Sequence, residues 1–310
     1  MIIGLNNQKV RHHNKQVLLA LLYQLKEASK STLARHCELS IPAVSKILDE
    51  LVAEGAISHS DQNLSQRGIN GGSYRIASGQ GAILCLNISP TSLESILVDN
   101  LITPLDEFSG QKIAPQTPDE LLRLIEAHYY QHKRRHKGLA IRLALAVHGQ
   151  VNPATGVSQT MPQAPWHAPV ELKYLLEERL GCEVMVDNDC IMLALAQKWQ
   201  GRESGGDFCV INVDYGIGSA FIINGQIYRG ALFGSGQIGH TIINPDGSAC
   251  ACGRYGCLET VASLFAIKKR ARVFLKQQAS ADNPAPAGGE LDTTQLLALY
   301  HQGDAMIRSL

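Results

Sequence analysis

The chain has 310 residues, 45% of them apolar, which is enough to form two or three lobes with hydrophobic cores. Its formal net charge is zero, so the overall charge gives no argument for a nucleic-acid or membrane partner. No apolar run approaches the ~20 residues of a membrane-spanning helix, and the N-terminus lacks the apolar core of a signal peptide. We therefore expect a cytoplasmic protein without a membrane partner.

Residues 14–57 have the apolar periodicity of consecutive short helices. The stripe of the first helix comprises Val17, Leu18, Leu21, Leu22 and Leu25. Ser31 is the predicted cap of a second helix, and Ser40, followed by Pro42, is the predicted cap of a third. The inward face predicted for the third helix comprises Ala43, Val44, Ile47, Leu48 and Leu51. A helix, a short turn and a second amphipathic helix form the helix-turn-helix arrangement.

The segment that follows predicts a wing, with two short strands joined by a Gly-rich tip that bears Arg67. Residues 1–76 contain nine Lys or Arg and six Asp or Glu, so this part alone carries a positive excess. The pattern favours a winged helix-turn-helix DNA-binding domain over residues 1–77. The alternative is a small helical bundle that packs on a partner protein. The predicted DNA contacts are Arg35, Ser45, Lys46 and Arg67.

The partner implied by this domain is a double-stranded DNA operator. A single short helix reads few base pairs, so two half-sites and a homodimer or higher homo-oligomer are expected. A second basic run, residues 132–137, ends a predicted helix, where cations interact favourably with the helix dipole. We interpret that run as a solvated helix end, with a nucleic-acid patch as the alternative.

From Gly81 onward, apolar runs typical of strands alternate with helical segments. The runs are AILCLNI, SILVD, GLAIRLALAVHG, EVMVDND, DFCVINVD and GSAFIING, and the helical segments include 118–130, 170–180 and 190–199. Strands that alternate with helices predict an α/β domain with a largely buried sheet, which we place at residues 81–310. The Pro/Ala/Gly-rich segment 279–290 is predicted to be a loop or linker.

Three cysteines lie within eight positions, ten residues after a Gly-His pair. Together with His240, the thiols of Cys250, Cys252 and Cys257 supply the Cys₃His donor set of a four-coordinate structural zinc site. This set leaves no open position, so one structural Zn²⁺ per chain is expected rather than a catalytic ion. The alternative is a group of free cysteines or a disulfide. The other five cysteines are scattered singly and are predicted to be buried free thiols.

Two stretches resemble the ROK family of repressors, open reading frames and sugar kinases. The segment 216–230, followed by Gly239-His240, is similar to the family signature, and CACGRYGCLE is similar to the zinc motif CxCGxxGCxE. The resemblance runs from about residue 9 to the mid-260s and implies an actin-like (ribonuclease H-like) ATPase fold with two α/β lobes around a cleft. A winged helix-turn-helix ahead of this domain is the layout of the family's repressors, which the kinases lack.

The phosphate-binding turns of a ROK kinase are altered in this sequence. The first turn, roughly D-x-G-G-T in kinases, has Asn87 in place of the carboxylate and Ser89-Pro90 in place of the glycines. Proline lacks the N–H and fixes φ, so this turn cannot wrap a phosphate as glycines would. In the later turn, Asp214-Tyr215 replaces the usual Gly and Thr, and Tyr215 would crowd a phosphate. We expect that nucleotide binding and enzymatic activity are lost.

The resemblance preserves the sugar side of the cleft better. Asn188-Asp189 matches the Asn-Asp pair of the kinases, in which the Asp is the catalytic base, and Glu259 matches a sugar-binding Glu. Either Asn188 or Asp189 could instead simply cap the helix that follows. His240 in the kinases serves zinc and sugar through its two nitrogens. Gln237 replaces the usual Glu, and its amide can still donate and accept hydrogen bonds. The implied sugar-binding set is Asn188, Asp189, Gln237, His240 and Glu259.

The sequence thus predicts a DNA-binding transcriptional regulator, a repressor of carbohydrate-metabolism genes, whose kinase-like domain senses a sugar or sugar phosphate. One alternative is an ATP-dependent sugar kinase with an accessory DNA-binding domain. Another is a domain that binds a phosphotransfer protein instead of a sugar, as some family members do. Family members continue well beyond Leu310, so the resemblance also implies a second lobe that is shortened at its C-terminus.

Overall fold

A computed structural model describes residues 7–60, 72–200, 206–278 and 293–308. The N-terminal part contains α1 (Asn7–Leu25), β1 (Ala28–Ser29), α2 (Lys30–His36), α3 (Ile41–Ala53), β2 (Ile57–Ser60) and β3 (Ser73–Ile76). The three strands form an antiparallel sheet in the order β1-β3-β2. This is a helix-turn-helix with a β2–β3 hairpin, whose tip at 61–71, with Arg67, lies outside the described residues.

The apolar stripes of these helices form one core, in which Leu18, Leu22, Leu33, Val44 and Leu48 are fully buried. The Ser40 hydroxyl accepts a hydrogen bond from the backbone N–H of Ala43 at 3.4 Å, which confirms it as the cap of α3. The prediction of an inward-facing side chain is wrong for Leu25 and Ala43, which are exposed. Both stand at helix ends, where the helix runs past the core.

The cap of α2 also differs from the prediction. The Ser29 hydroxyl, rather than that of Ser31, accepts from the backbone N–H of Thr32 at 3.1 Å. Ser29 lies opposite Ser73 in the β1–β3 ladder, and this pairing holds its backbone extended, as a cap requires. The pairing partner is 44 positions away, so local sequence does not distinguish the two serines.

The α/β part begins with a five-stranded sheet. Its strands are β4 (Ala82–Ile88), β5 (Ser92–Asp99), β6 (Ser109–Lys112), β7 (Ile141–Val147) and β10 (Val184–Asn188), in the order β10-β7-β4-β5-β6. The strands β4, β7 and β10 are parallel, and β5 and β6 are antiparallel to their neighbours. Helices α4 (Pro118–Arg135) and α5 (Leu172–Leu180) cover the sheet, and a hairpin of β8 (Gln150–Asn152) and β9 (Val157–Thr160) flanks it.

A second, smaller sheet follows α6 (Asp189–Gln200). It consists of β11 (Phe208–Val213), β12 (Ile217–Ile223) and β13 (Gln226–Tyr228), all antiparallel. Helix α6 packs on this sheet through Cys190, Ile191 and Ala194. Beyond it lie a 3₁₀ turn (Ile238–His240) and the helices α7 (Glu259–Ala262), α8 (Leu264–Gln278), α9 (Thr293–His301) and α10 (Ala305–Arg308). The predicted linker at 279–290 lies outside the described residues.

One side chain of the N-terminal part, Tyr23, contacts two elements of the α/β part. The Tyr23 hydroxyl, on α1, donates a hydrogen bond to the backbone carbonyl of Asn100 at 2.5 Å. The Tyr23 ring also meets the ring of Trp199 edge-on, with centroids 6.3 Å apart. Asn100 follows β5, whereas Trp199 lies at the end of α6. Tyr23 therefore joins an element of the large sheet to the helix that packs on the small sheet.

Among the described helices, none combines the length and the apolar character that a bilayer crossing requires.

Candidate functional site

A cleft of about 600 Å³ opens between the two sheets. The three parallel strands β4, β7 and β10 end side by side at its floor, and the residues that follow them are Ser89, His148 and Asp189. The opposite wall comes from the β11–β12 turn, the 3₁₀ segment and the start of α7. Ligands of open α/β sheets bind at this edge, outside the carboxyl ends of the strands.

All five residues of the predicted sugar-binding set line this cleft: Asn188, Asp189, Gln237, His240 and Glu259. They come from three separate segments, which the fold brings to one place. Only the structure shows this convergence, because the sequence fixes the order of the segments but not their distances.

Asn188 acts as the cap of α6. Its side-chain oxygen accepts from the backbone N–H of Ile191 at 3.0 Å, and its amide donates to the Gly149 carbonyl at 2.7 Å and to Asp189 Oδ1 at 2.8 Å. Asp189 is held differently, since its Oδ2 faces His148 Nδ1 at 3.2 Å. The cap and the cleft carboxylate are thus separate roles of adjacent residues, and Asn188 fixes the carboxylate of Asp189 in place.

His148 was missed by the sequence reasoning. Its side chain is 17% exposed, and its Nε2 is buried with no hydrogen-bond partner among the described residues. Burial alone would lower the pKa of His148, but the hydrogen bond to Asp189 and the carboxylates of Glu259 and Asp214 outweigh burial and raise that pKa. The available signal was a histidine directly after a buried parallel strand, at the sheet edge where ligands bind.

Glu259 is 6% exposed and accepts two hydrogen bonds. Its Oε2 receives the backbone N–H of Ile217 at 3.1 Å, and its Oε1 receives the Gln163 amide at 3.4 Å. A Cβ on Gly216 would lie 2.6 Å from Glu259 Oε2 and 3.0 Å from His148 Cε1. A side chain at 216 would therefore displace Glu259 or His148 from its present position.

The turn at the position of the kinase phosphate loop is closed on itself. The Ser89 hydroxyl accepts from the backbone N–H groups of Thr91 at 3.3 Å and Ser92 at 3.0 Å. Pro90 has no N–H to offer. The side chain of Asn87 donates to Glu94 at 2.9 Å. The backbone donors of this turn are thus occupied within the turn itself.

The second turn places an aromatic ring and a carboxylate on the cleft wall. Asp214 and Tyr215 both line the cleft, and the Tyr215 ring packs against Phe265 with centroids 4.9 Å apart. The backbone N–H of the following Ile217 is engaged by Glu259. That Tyr215 would crowd a phosphate stays a prediction.

The four predicted metal ligands converge on one point. The nearest ring nitrogen of His240 and the sulfurs of Cys250, Cys252 and Cys257 all lie within 4.8 Å of one another. The His240 Nδ1–Cys250 Sγ distance is 3.5 Å, and the Cys252 and Cys257 sulfurs are 3.7 Å apart. Edges of roughly 3.5–3.8 Å are those of a tetrahedron with zinc–ligand bonds of about 2.0–2.3 Å, so the donor set fits zinc.

Among the three thiols of the cluster, the electrostatics favour the thiolate form at Cys252 alone, because burial raises the pKa of Cys250 to about 12. Burial raises the pKa of Cys257. Burial would also raise the pKa of Cys252, but hydrogen bonds from Arg254 outweigh it and hold that pKa below its ordinary value. Outside the cluster, the prediction of buried thiols holds for Cys190 and is wrong for Cys209, which is exposed because alternate residues of β11 face outward.

Of the four predicted DNA contacts, two are exposed on the helix-turn-helix. Arg35 on α2 and Lys46 on α3 are exposed. The Ser45 hydroxyl is half-buried and accepts from Lys30 Nζ at 2.7 Å, so it fastens α2 to α3. Arg67 lies outside the described residues. The C-terminal end of α3 is tied to α1, where Lys15 pairs at 2.5 Å with Glu54, the residue that follows α3.

Comparison with known proteins assigns the fold and the family. The model of the ROK family matches residues 83–309, and that of the MarR family matches residues 13–69. The chain belongs to the ROK family. Its fold is a MarR-like winged helix-turn-helix followed by the actin-like kinase fold of that family.

Among curated relatives, the chain is 56% identical to the uncharacterized protein YphH of Escherichia coli, across 98% of this chain and 76% of that protein. It is 29% identical to the transcriptional dual regulator NagC of Escherichia coli, across 88% of this chain and 68% of the regulator. It is 26% identical to the xylose repressor of Caldicellulosiruptor bescii, across 88% of this chain and 69% of the repressor.

Similar solved structures include a transcriptional regulator and a sugar kinase. A ROK family transcriptional regulator, a homologue of the Escherichia coli Mlc protein, superposes with a TM-score of 0.75 at 23% identity, covering 95% of this chain and 76% of that one. A ROK glucokinase from Streptomyces griseus, in complex with glucose and AMPPNP, superposes with a TM-score of 0.58 at 25% identity, covering 73% of each chain.

Proposed function

We propose that the protein is a DNA-binding transcriptional regulator of carbohydrate metabolism, a cytoplasmic repressor that senses a sugar and does not phosphorylate it. Residues 1–77 form the DNA-binding domain and residues 81–310 form the effector domain. The observation that carries the proposal is the turn at Ser89, whose backbone donors are already occupied, beside a cleft lined by the predicted sugar-binding residues. The xylose repressor and the dual regulator NagC among the relatives support it.

In this proposal α3 lies in the major groove of an operator and the β2–β3 wing reaches the backbone or the minor groove. Lys46 and Arg35 are exposed and able to reach phosphates or base edges. Ser45 is engaged with Lys30, so its contribution to DNA binding is to position α2 against α3. A homodimer presents two such helices to two half-sites.

The sugar lies against Asp189, Glu259 and His240, with Gln237 beside them. Carboxylates accept hydrogen bonds from hydroxyl groups, and Asn188 and Ile217 hold the two carboxylates in position. His240 Nδ1 and the three cysteines hold a structural zinc ion. This ion fixes the cysteine-bearing loop that directly precedes Glu259. The zinc takes no part in chemistry because its four ligand positions are filled.

Tyr23 couples the cleft to the DNA-binding domain. Strand β5 begins at the cleft with Ser92 and ends before Asn100, and α6 begins at the cleft with Asp189 and ends near Trp199. Tyr23 contacts the far end of both elements. A ligand that draws the two sheets together shifts these ends relative to each other, and α1 follows. Such coupling requires that sugar affinity differs between the DNA-competent and incompetent states.

The second candidate is an ATP-dependent sugar kinase with an accessory DNA-binding domain. Asp189, at the position of the kinase base, favours it, since its carboxylate lies in the cleft next to His148. The closed turn at Ser89 and the bulk of Tyr215 oppose it.

Calorimetric titration of the zinc-loaded chain separates the two candidates. We expect one or more sugars to bind and ATP-Mg²⁺ not to bind, with or without sugar. Asp189→Asn keeps the shape of the cleft and removes the base, so a sensor loses some sugar affinity and retains its DNA affinity. ATP-dependent phosphorylation of any sugar, abolished by Asp189→Asn, would overturn the proposal in favour of the kinase.

A further inference from the structure

The charge of the cleft wall is strongly one-sided. Four carboxylate side chains line it: Glu94, Asp189, Asp214 and Glu259. None of the lining residues in the part of the chain that the structure describes is a lysine or an arginine. Outside the Cys/His cluster, the one lining side chain able to carry positive charge is His148, and its Nδ1 already faces Asp189 at 3.2 Å.

Arg229 lies near the floor of the cleft but is not among the residues that line it. Its guanidinium forms a bidentate pair with Asp187, at 2.9 and 2.6 Å, and Asp187 is 6% exposed. Breaking this pair is costly because it would leave the buried Asp187 carboxylate without its partner. Arg229 is therefore committed to holding the end of β10 and does not neutralise an anionic ligand.

Three of the backbone donors that border the cleft are also taken. The N–H groups of Thr91 and Ser92 donate to Ser89, and that of Ile217 donates to Glu259. A phosphate monoester only accepts hydrogen bonds and carries close to two negative charges at pH 7. Against this wall it would meet four carboxylates without a lysine or arginine partner.

Sugar hydroxyl groups meet the opposite situation. Each ionised carboxylate has about four acceptor sites. Asp189 uses these sites for Cys190 N–H, the Asn188 amide and His148, and Glu259 uses them for Ile217 N–H and the Gln163 amide. Acceptor capacity therefore remains on both. The buried His148 Nε2 has no partner among the described residues and offers one more hydrogen bond to a hydroxyl group.

We infer that the cleft takes an effector without an anionic group, either an uncharged or an amino sugar, and discriminates against the corresponding sugar phosphates. This inference rests on the proposed sugar-sensing function and narrows its ligand class. The four lining carboxylates select by charge, whereas Asp189 and Glu259 also recognise the hydroxyl pattern. Glu94 and Asp214 lie on the side of the cleft formed by the two turns. In this inference they repel a phosphate group but do not contact the sugar.

The test is calorimetric titration of the full, zinc-loaded chain with a panel of free hexoses, pentoses and 2-amino hexoses, and with their 1- and 6-phosphates. For each sugar that binds, we expect its phosphates to bind at least about tenfold more weakly, because like charges repel in a partly desolvated cleft. Raising the salt concentration should leave the affinity for an uncharged sugar unchanged and narrow this difference, since salt screens the repulsion.

Glu94→Gln provides the decisive variant, because glutamine can still accept from Asn87. It should raise the affinity for the phosphates about threefold or more by removing one repelling charge, and leave the affinity for the uncharged sugar within about twofold. Glu107→Gln makes the same chemical change on an exposed loop outside the cleft and should alter neither.

The outcomes separate this inference from the proposal on which it rests. A sugar phosphate that binds as tightly as its parent sugar, or tighter, overturns the charge argument and leaves sugar sensing intact. The same holds if Glu94→Gln and Glu107→Gln have equal effects. If neither free sugars nor phosphates bind while operator DNA does, sugar sensing fails, and the inference fails with it.

Discussion

The hydroxyl of Tyr23 donates a hydrogen bond to the backbone carbonyl of Asn100 at 2.5 Å, across the boundary between the winged helix and the α/β part. The amide of Asn100 in turn donates to the Ala77 carbonyl at 2.5 Å and its side-chain oxygen accepts from the Gln80 N–H at 3.4 Å. Burial, followed by the charge of Asp99, raises the pKa of Tyr23, so its hydroxyl remains a donor at physiological pH. Asn100 thereby fastens both the first helix and the connecting segment to the effector domain.

Tyr23→Phe should reduce the coupling between sugar and DNA binding. The change removes one hydrogen bond, worth about 0.5–1.5 kcal/mol net, so the factor by which sugar alters DNA affinity should fall about 2–10-fold. Fluorescence anisotropy with labelled operator DNA, with and without saturating sugar, measures this factor. Tyr130→Phe is the matched control, because Tyr130 donates to the Arg179 carbonyl entirely within the effector domain. Equal effects of the two changes would contradict a relay through Tyr23.

Zinc should be present at one equivalent per chain in protein purified without added metal. Cys252→Ser should lose it and lower the free energy of unfolding by on the order of 2 kcal/mol or more, since loss of a metal site is among the strongly destabilising changes. Metal analysis and denaturant titration measure the two effects. Cys209→Ser, an exposed thiol outside the cluster, should retain both metal and stability. Full zinc occupancy in a triple Cys250/Cys252/Cys257 variant would refute the assignment.

Lys46→Ala should weaken operator binding. If Lys46 contacts a phosphate, the slope of log affinity against log salt concentration should become shallower by about one unit. If it contacts a base edge, discrimination among operator variants should fall by about 1–3 kcal/mol. Arg134→Ala removes an equal charge from the exposed end of α4 and should change neither quantity. Equal losses from both substitutions would indicate that overall charge, rather than α3, carries the binding.

His148 should make stability depend on pH with a defined sign. Its folded-state pKa is raised, so its stabilising contribution is fully present below the unfolded value of about 6.5 and is lost as pH rises through the folded pKa. The difference in unfolding free energy between wild type and His148→Gln should therefore shrink with rising pH. Burial lowers the pKa of His128, so His128→Gln should give the opposite slope. Parallel pH profiles for the two variants would exclude the His148–Asp189 interaction as the cause.

Local sequence was sufficient where the physical cause is local. The Ser40 cap acts over three positions, and three of the four metal ligands lie within eight, so spacing alone predicted both. The alternation of strands and helices also predicted the main sheet. In contrast, Ser29 rather than Ser31 caps α2 because of a strand pairing with Ser73, which no local pattern reveals.

The sequence predicted many of the residues that line the cleft but not the hydrogen bonds between them. Asn87 and Ser89-Pro90 indicated an altered phosphate turn, but the sequence did not show that the Ser89 hydroxyl accepts from the turn's own backbone donors. The role of His148 depends on its contact with Asp189, which lies 41 positions away, directly after the neighbouring strand β10. The contact of Tyr23 with Trp199 likewise depends on how α1 packs against α6. The local sequence around either residue does not indicate this contact.

The most direct test of the regulator assignment is an operator titration of the full, zinc-loaded chain, using a duplex isolated by in vitro selection. DNA affinity is measured alone, with a sugar that binds the chain, and with ATP-Mg²⁺. We predict that the sugar changes DNA affinity by about fivefold or more, in the range typical of coupled sites, and that ATP-Mg²⁺ changes it by less than about twofold. DNA affinity that responds to ATP-Mg²⁺, or that no bound sugar alters, would contradict the account.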